Sequence, residues 1–352
     1  MRSKVFFAPL PDKAPADQIE RNLAELLTAA EFEKHVPRQD YVAVKTHFGE
    51  GDNITHVPPR FFKPLSERIR KAGAHPFLTE TSTLYKGRRG DAVAHLLLAH
   101  EHGYTIEATG MPIIMSDGLK GDYEYDVEIG GGLKVAVAGL LRKINALVCV
   151  SHPTGHIALG FGGTLKNLGM GLSSRKGKLV QHSSVKPQVN QETCTGCGRC
   201  IKWCPVNCIT LTEKKARIDD RLCIGCGECL VECSYDAILY NWEMDKDQIQ
   251  KSTAEHACGV VKDKQCFYIN YALNFTRDCD CFGTVKTPVV PDLGLFASTD
   301  PVAIDEACIA MLEQRSGKPL ADLAYPELEP RIQIRHAEKL GMGSSQYELI
   351  SC

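Results

Sequence analysis

Eight of the chain's sixteen cysteines fall in one short stretch with a strict rhythm. The first half runs Cys194-x2-Cys197-x2-Cys200-x3-Cys204-Pro205, and the second runs Cys223-x2-Cys226-x2-Cys229-x3-Cys233. Each cysteine of the second half follows its counterpart by 29 residues (223 − 194), so the stretch is an internal repeat. Three closely spaced thiols can take three corners of one cubane, and a fourth beyond a short turn reaches a second cubane. By that rule Cys194, Cys197, Cys200 and Cys233 hold one [4Fe–4S] cluster, and Cys223, Cys226, Cys229 and Cys204 hold another. Gly196, Gly198, Gly225 and Gly227 stand between ligands, where the backbone turns tightly. Ser234 replaces the proline that follows the first run, which removes no ligand. Zinc sites usually pair two separated CxxC units, and disulfides belong to oxidising compartments. Three ligands in a row, repeated, suit a cubane better. Cys208 reads as a spare buried thiol, and Cys149, Cys258, Cys266, Cys308 and Cys352 as core or incidental cysteines.

The chain has 352 residues, 43% of them apolar and 24% charged, ordinary for a globular protein with a sizeable core. A formal net charge of −2 gives no bulk attraction to nucleic acid. The start of the sequence lacks a secretory apolar run. The most apolar stretch, 133–150, is broken by Lys134, Arg142, Lys143 and Asn145, so no membrane span is expected. A cytoplasmic protein is expected.

The first ~150 residues alternate strand-like and helix-like patterns. Strands are expected at 5–8, 41–44, 76–79, 112–115 and 146–150, and helices at 16–30, 58–72 and 91–101. The runs 123–129 and 133–137, split by Gly130-Gly131-Gly132, read as a hairpin. Residues 151–184 are rich in Gly, Ser and His and read as an ordered functional loop. After the cysteines, strands are expected at 265–275 and 293–297. A helix follows, with Asp300 as its cap and Pro301 at its first position. The predicted fold is α/β, a mostly parallel sheet flanked by helices, with an inserted α+β two-cluster ferredoxin-like module. Residues 1–186 and 245–352 form the discontinuous α/β domain and 187–244 the module.

In open parallel sheets, ligands bind at the carboxyl ends of strands. Lys45, His47 and Glu50 follow one predicted strand, His152 and His156 follow another, and Lys166 lies in the glycine-rich segment after them. Lys45, His47, Glu50, His152 and Lys166 are therefore the candidate catalytic residues. Asp278-Cys279-Asp280-Cys281 is the second cysteine signal. Extended backbone points residues i and i+2 the same way, so both thiols can face one metal. Cys279, Cys281 and His182 form a candidate third metal site, with His47, His152 and His156 as further partners, suited to zinc, iron or nickel. A third metal or a small-molecule cofactor is thus an open expectation.

KTHFGE at 45–50, SHPTGH and GFGGTLKNLGMG within 151–171, the cysteine run, DCDCFG at 278–283 and PDLGLFASTDPVAID at 291–305 together resemble domain of unknown function family 362. The resemblance spans nearly the whole chain. It implies an α/β core with a two-cluster insertion and anaerobe-like redox metabolism, and it supplies no substrate. The His-, Gly- and Lys-Asn-bearing loop is also similar, over a short length, to the nickel-pincer-dependent lactate racemases, a likeness that carries no function. The leading expectation is an electron-transfer protein or oxidoreductase, working with a redox partner protein or a small-molecule substrate. The alternatives are an accessory protein that delivers electrons or metal, and a non-redox metal-dependent enzyme with structural clusters.

Overall fold

In a computed structural model of the chain, residues 2–85, 87–182, 186–239 and 245–352 are described. A seven-stranded sheet forms the centre. From one edge to the other its strands are Tyr347–Ser351, Ser3–Pro9, Gly294–Ser298, Gln265–Ala272, Ala146–Ser151, Tyr41–Lys45 and His75–Thr79. Gly294–Ser298 is antiparallel to both neighbours, and every other pairing is parallel. The fold class is therefore α/β with a mostly parallel sheet.

The strands are apolar on both faces, as a sheet covered on both sides requires. Val42, Val44, Val148, Val150, Phe267 and Ile269 enter one core, while Ala43, Leu147, Cys149 and Tyr268 enter the other. Alternation along each strand produces this division. On the first face lie the helices Ala16–Ala29, through Leu23, Leu26 and Leu27, and Phe62–Lys71, through Phe62, Leu65 and Ile69. On the second lie Thr164–Gly169, Lys246–Val261 and Pro301–Ser316. Both faces are complete only when chain from each side of the cysteine stretch is counted.

Asp300 caps the helix Pro301–Ser316, accepting from the N–H groups of Val302 at 2.8 Å and Ala303 at 2.9 Å. The expected hairpin forms between Glu124–Glu128 and Lys134–Ala138, and all three intervening glycines have positive φ. Two expectations are corrected. Residues 112–115 contribute only an isolated bridge from Ile113 to Leu78, because Pro112 offers no N–H to a ladder. The described part of 151–184, residues 151–182, is no loop: Thr154–His156 pairs with Gly160–Gly162, and the helices Thr164–Gly169 and Arg175–His182 follow. Their glycines serve close packing. A Cβ on Gly155 would stand 2.1 Å from the Arg277 carbonyl oxygen, and one on Gly169 2.1 Å from that of Thr253.

The cysteine stretch has its own symmetry. Short helices at Arg199–Lys202 and Glu228–Glu232 each follow a glycine with positive φ, Gly198 and Gly227. Ile209 pairs with Ile218, and Ile238 pairs with Val189. Shifting each pair by the 29-residue repeat exchanges the two pairings, so the halves are related by an approximate two-fold. The expected boundary near 244 lies outside the described residues.

Candidate functional site

Four parallel strands, Tyr41–Lys45, His75–Thr79, Ala146–Ser151 and Gln265–Ala272, bring their carboxyl ends to one edge of the sheet. The segments that follow them, with the loop 279–283, enclose a cavity of about 840 Å³. Of the sequence-predicted residues, Lys45, His47, Glu50, Lys166, Cys279, Cys281 and His182 line it, with His156 beside them. This is the position expected of a ligand site in such a sheet. His152 stands behind, on a smaller cavity shared with His47, Lys166 and Cys279.

Cys281 is the sulfur at the meeting point. Lys166 Nζ donates to its Sγ at 3.3 Å, and His47 Nε2 lies 3.4 Å from the same sulfur. The N–H of Gly49 donates to His47 Nδ1 at 2.9 Å. Arg89 Nη1 also lies 2.8 Å from His47 Nε2, and a guanidinium N–H can only donate. Burial, and then the charge of Arg89, hold His47 well below the ordinary histidine value. Burial also disfavours charge on Lys166, but the nearby Cys281 and Cys279 outweigh it and keep the ammonium above its usual value. A hydrogen bond from Cys281, working against burial and helped by Lys166, draws the Cys279 thiol down to about 6.

Residues that sequence reasoning passed over complete the lining. Arg89 Nε binds Glu50 at 2.9 Å, and Arg89 also donates to the Tyr85 hydroxyl. Lys45 binds Glu80 at 2.8 Å and Asn167 Oδ1 at 2.6 Å. Lys178 donates to Thr81 Oγ1 at 2.5 Å and to the Ser173 carbonyl at 2.9 Å. Glu80 follows a predicted strand directly, so the strand-end rule reaches it; Arg89 and Lys178 lie in segments with no motif.

His152 is fully engaged. Its Nδ1 contacts Asp280 Oδ2 at 2.7 Å and its Nε2 the Leu273 carbonyl at 2.8 Å. Burial lowers its basicity, but the Asp280 carboxylate outweighs this and leaves it above the usual histidine value. Thr55 and Asn53 also donate to Asp280, at 2.7 and 3.1 Å. Asp280, the middle of the Cys-Asp-Cys segment, is therefore held by side chains and points away from the sulfurs' cavity. His156 Nδ1 accepts from the N–H groups of Ala158 and Leu159, both at 3.2 Å, and burial draws this ring down to about 3. Among the described residues, no group of three or more His, Cys, Asp or Glu stands together closely enough to hold a metal ion. The cation beside Cys281 is the Lys166 ammonium.

The eight cysteines of the repeat group four and four. Cys194, Cys197, Cys200 and Cys233 line one small cavity. Cys204, Cys223, Cys226 and Cys229 line another, together with Cys208, whose Sγ lies 3.4 Å from that of Cys204. A cubane spreads its four thiolates over four irons, so four thiols around one hollow fit it although they make no single-ion site. Ile209, Ile238, Ala216 and Ala237 form an apolar jacket, joined by Leu84 and Leu179 from outside the stretch. Leu84 also lines the large cavity.

Among the described residues, no helix is long and apolar enough to cross a membrane. No curated protein matches the sequence. Among solved structures, the lactate racemase apoprotein from Thermoanaerobacterium thermosaccharolyticum aligns with 14% identity and a TM-score of 0.39, over 77% of this chain and 51% of that one. The chain thus spans about half the length of that protein. The family model described as "Domain of unknown function (DUF362)" matches residues 42–310. That is most of the sequence, and the chain belongs to this family.

Proposed function

We propose that the chain is an iron–sulfur redox protein that exchanges electrons, through two [4Fe–4S] clusters, with a ligand bound in the sheet-edge cleft. The grouping of the eight repeat cysteines, four and four, around two small cavities is the observation that carries this reading. Cys194, Cys197, Cys200 and Cys233 would hold one cluster, and Cys223, Cys226, Cys229 and Cys204 the other. When bound, they supply one-electron transfer. The chain's part is to hold the thiols, exclude water with the isoleucine jacket and join the cysteine module to the cleft.

That junction is close. A Cβ on Gly227 would lie 3.3 Å from both Leu84 Cδ1 and Arg175 Cγ. Arg175 Nη1 binds Glu228 at 3.1 Å. Leu84 therefore touches the second cysteine half on one side and the cleft on the other, which makes that half the nearer to the ligand. The pairing of Gln188–Val189 with Ile238–Leu239 brings the two ends of the stretch side by side. This supports reading 187–244 as a module inserted into one α/β domain.

The chemistry at Cys281 favours an enzyme over a bare carrier. A sulfur held between an imidazole and an ammonium inside a cavity has no use in a simple shuttle. The test is anaerobic reduction with electron paramagnetic resonance of wild type and Cys233→Ala. Two interacting cluster signals are expected for wild type, and one isolated signal for the variant. A variant that loses the cluster of the second half and keeps the first would refute the crossed ligation.

A further inference from the structure

The cations that line the cleft outnumber its carboxylates. Six cations line it, Lys45, Arg88, Arg89, Lys166, Lys178 and Lys246, with two carboxylates, Glu50 and Glu80; Arg88 and Lys246 pair outside it with Glu101 and Glu327. Both carboxylates are already used, Glu80 by Lys45 at 2.8 Å and Glu50 by Arg89 at 2.9 Å. Lys166 is left with sulfur alone, donating to Cys281 and favoured by Cys279 as well. Lys178, only 8% exposed, is left with a hydroxyl and a carbonyl. Among the described residues, neither of these lysines is in a salt bridge with a carboxylate. Asp117 and Glu80 favour the Lys178 ammonium from beyond salt-bridge contact, but the groups it touches are neutral, so it loses much of its hydration without a contacting counter-charge. Burial accordingly draws Lys178 down to about 8.

One wall of the cleft is apolar. Met170, Ile249 and Ala158 pack together with Leu159 and face the cavity, and Leu84 and Phe282 add to the wall. A volume of about 840 Å³ is that of a site for a whole organic molecule, far more than an inorganic ion needs.

We propose that the cleft binds an organic anion, its carboxylate or phosphoryl headgroup held by Lys166 and Lys178 and its apolar body lying along Met170, Ile249 and Ala158. The inference names the ligand class of the redox reading's site and rests on that cleft being the working one. An ammonium–anion contact in a desolvated pocket is a charge-assisted hydrogen bond, stronger than its neutral counterpart. The headgroup also ends within reach of Cys281, the sulfur that Lys166 already contacts.

Isothermal titration of the anaerobically purified full chain tests this with hexanoate, hexyl phosphate, hexanol, acetate and inorganic phosphate. One or both hexyl anions should bind at least about tenfold more tightly than hexanol, and than the headgroup ion alone. The tighter of the two identifies the headgroup. Lys178→Gln and Lys166→Gln should each weaken that anion about tenfold while leaving hexanol unchanged. Equal binding of hexanol and both hexyl anions by wild type overturns the proposal, and that comparison does not depend on any variant folding. Binding of acetate or phosphate as tight as that of the hexyl anions also overturns it. A protein with both clusters and no preference for hexyl anions refutes the ligand class alone. One that prefers them but holds no clusters refutes the redox reading alone.

Discussion

Asp117 is buried beside Lys178 and Arg175, and its Oδ2 accepts from the Ser82 N–H at 2.7 Å. Burial raises its carboxyl from the ordinary 3.8 to about 6, against the pull of the two cations. The folded state therefore binds the proton more tightly than the unfolded chain. The stability this contributes is full below about pH 4 and is lost as pH rises through about 6. Asp117→Asn keeps the acceptor oxygen and has no proton to release. It should fall short of wild type most at pH 4, and the gap should shrink by pH 7, as read from urea midpoints at each pH. A gap that is constant with pH would contradict the assignment. Asp117, Lys178 and Arg89 have no signature in the sequence, because a lone charged residue looks the same whether it is solvated or buried. Lys45, His47 and Glu50 were legible because a strand precedes them. His152 was legible as a rim residue, but its engagement by Asp280 was not, since that contact crosses 128 residues.

At the scale of elements, the hairpin Thr154–His156 with Gly160–Gly162 is packed against the segment that carries the Cys-Asp-Cys sequence. The N–H of Gly155 donates to the Thr276 carbonyl at 2.8 Å, and there is no room for a side chain beside Arg277. Gly155→Ala should cost about 1–3 kcal/mol through overpacking and should displace residues 276–281. Thermal melting and tighter or looser binding of the hexyl anion read the two effects; an unchanged melting temperature would contradict the close packing. Helices and strands with clear periodicity, caps and stop signals were readable, as Asp300 and Pro301 illustrate. The segment 151–184 was not, because its helices are short, glycine-bearing and buried on most sides, which erases the amphipathic period. Its glycines signalled close approach correctly, but what approaches most of them is backbone.

For the whole molecule, the sheet draws strands from both sides of the cysteine stretch, and the stretch enters and leaves at one paired ladder. Replacing 188–239 by a short Gly/Ser linker should leave a cooperatively folding α/β protein without iron. Its stability should be reduced by exposure of Leu84 and Leu179 and by loss of the Arg175–Glu228 pair. Loss of cooperative unfolding would show instead that the two parts fold only together. The most direct measurement of the paired clusters is an anaerobic iron, sulfide and zinc count on wild type and on Cys279→Ala/Cys281→Ala. About eight iron and about eight sulfide per chain are expected in both proteins. Zinc in place of iron, or iron without matching sulfide, would contradict the two-cluster reading.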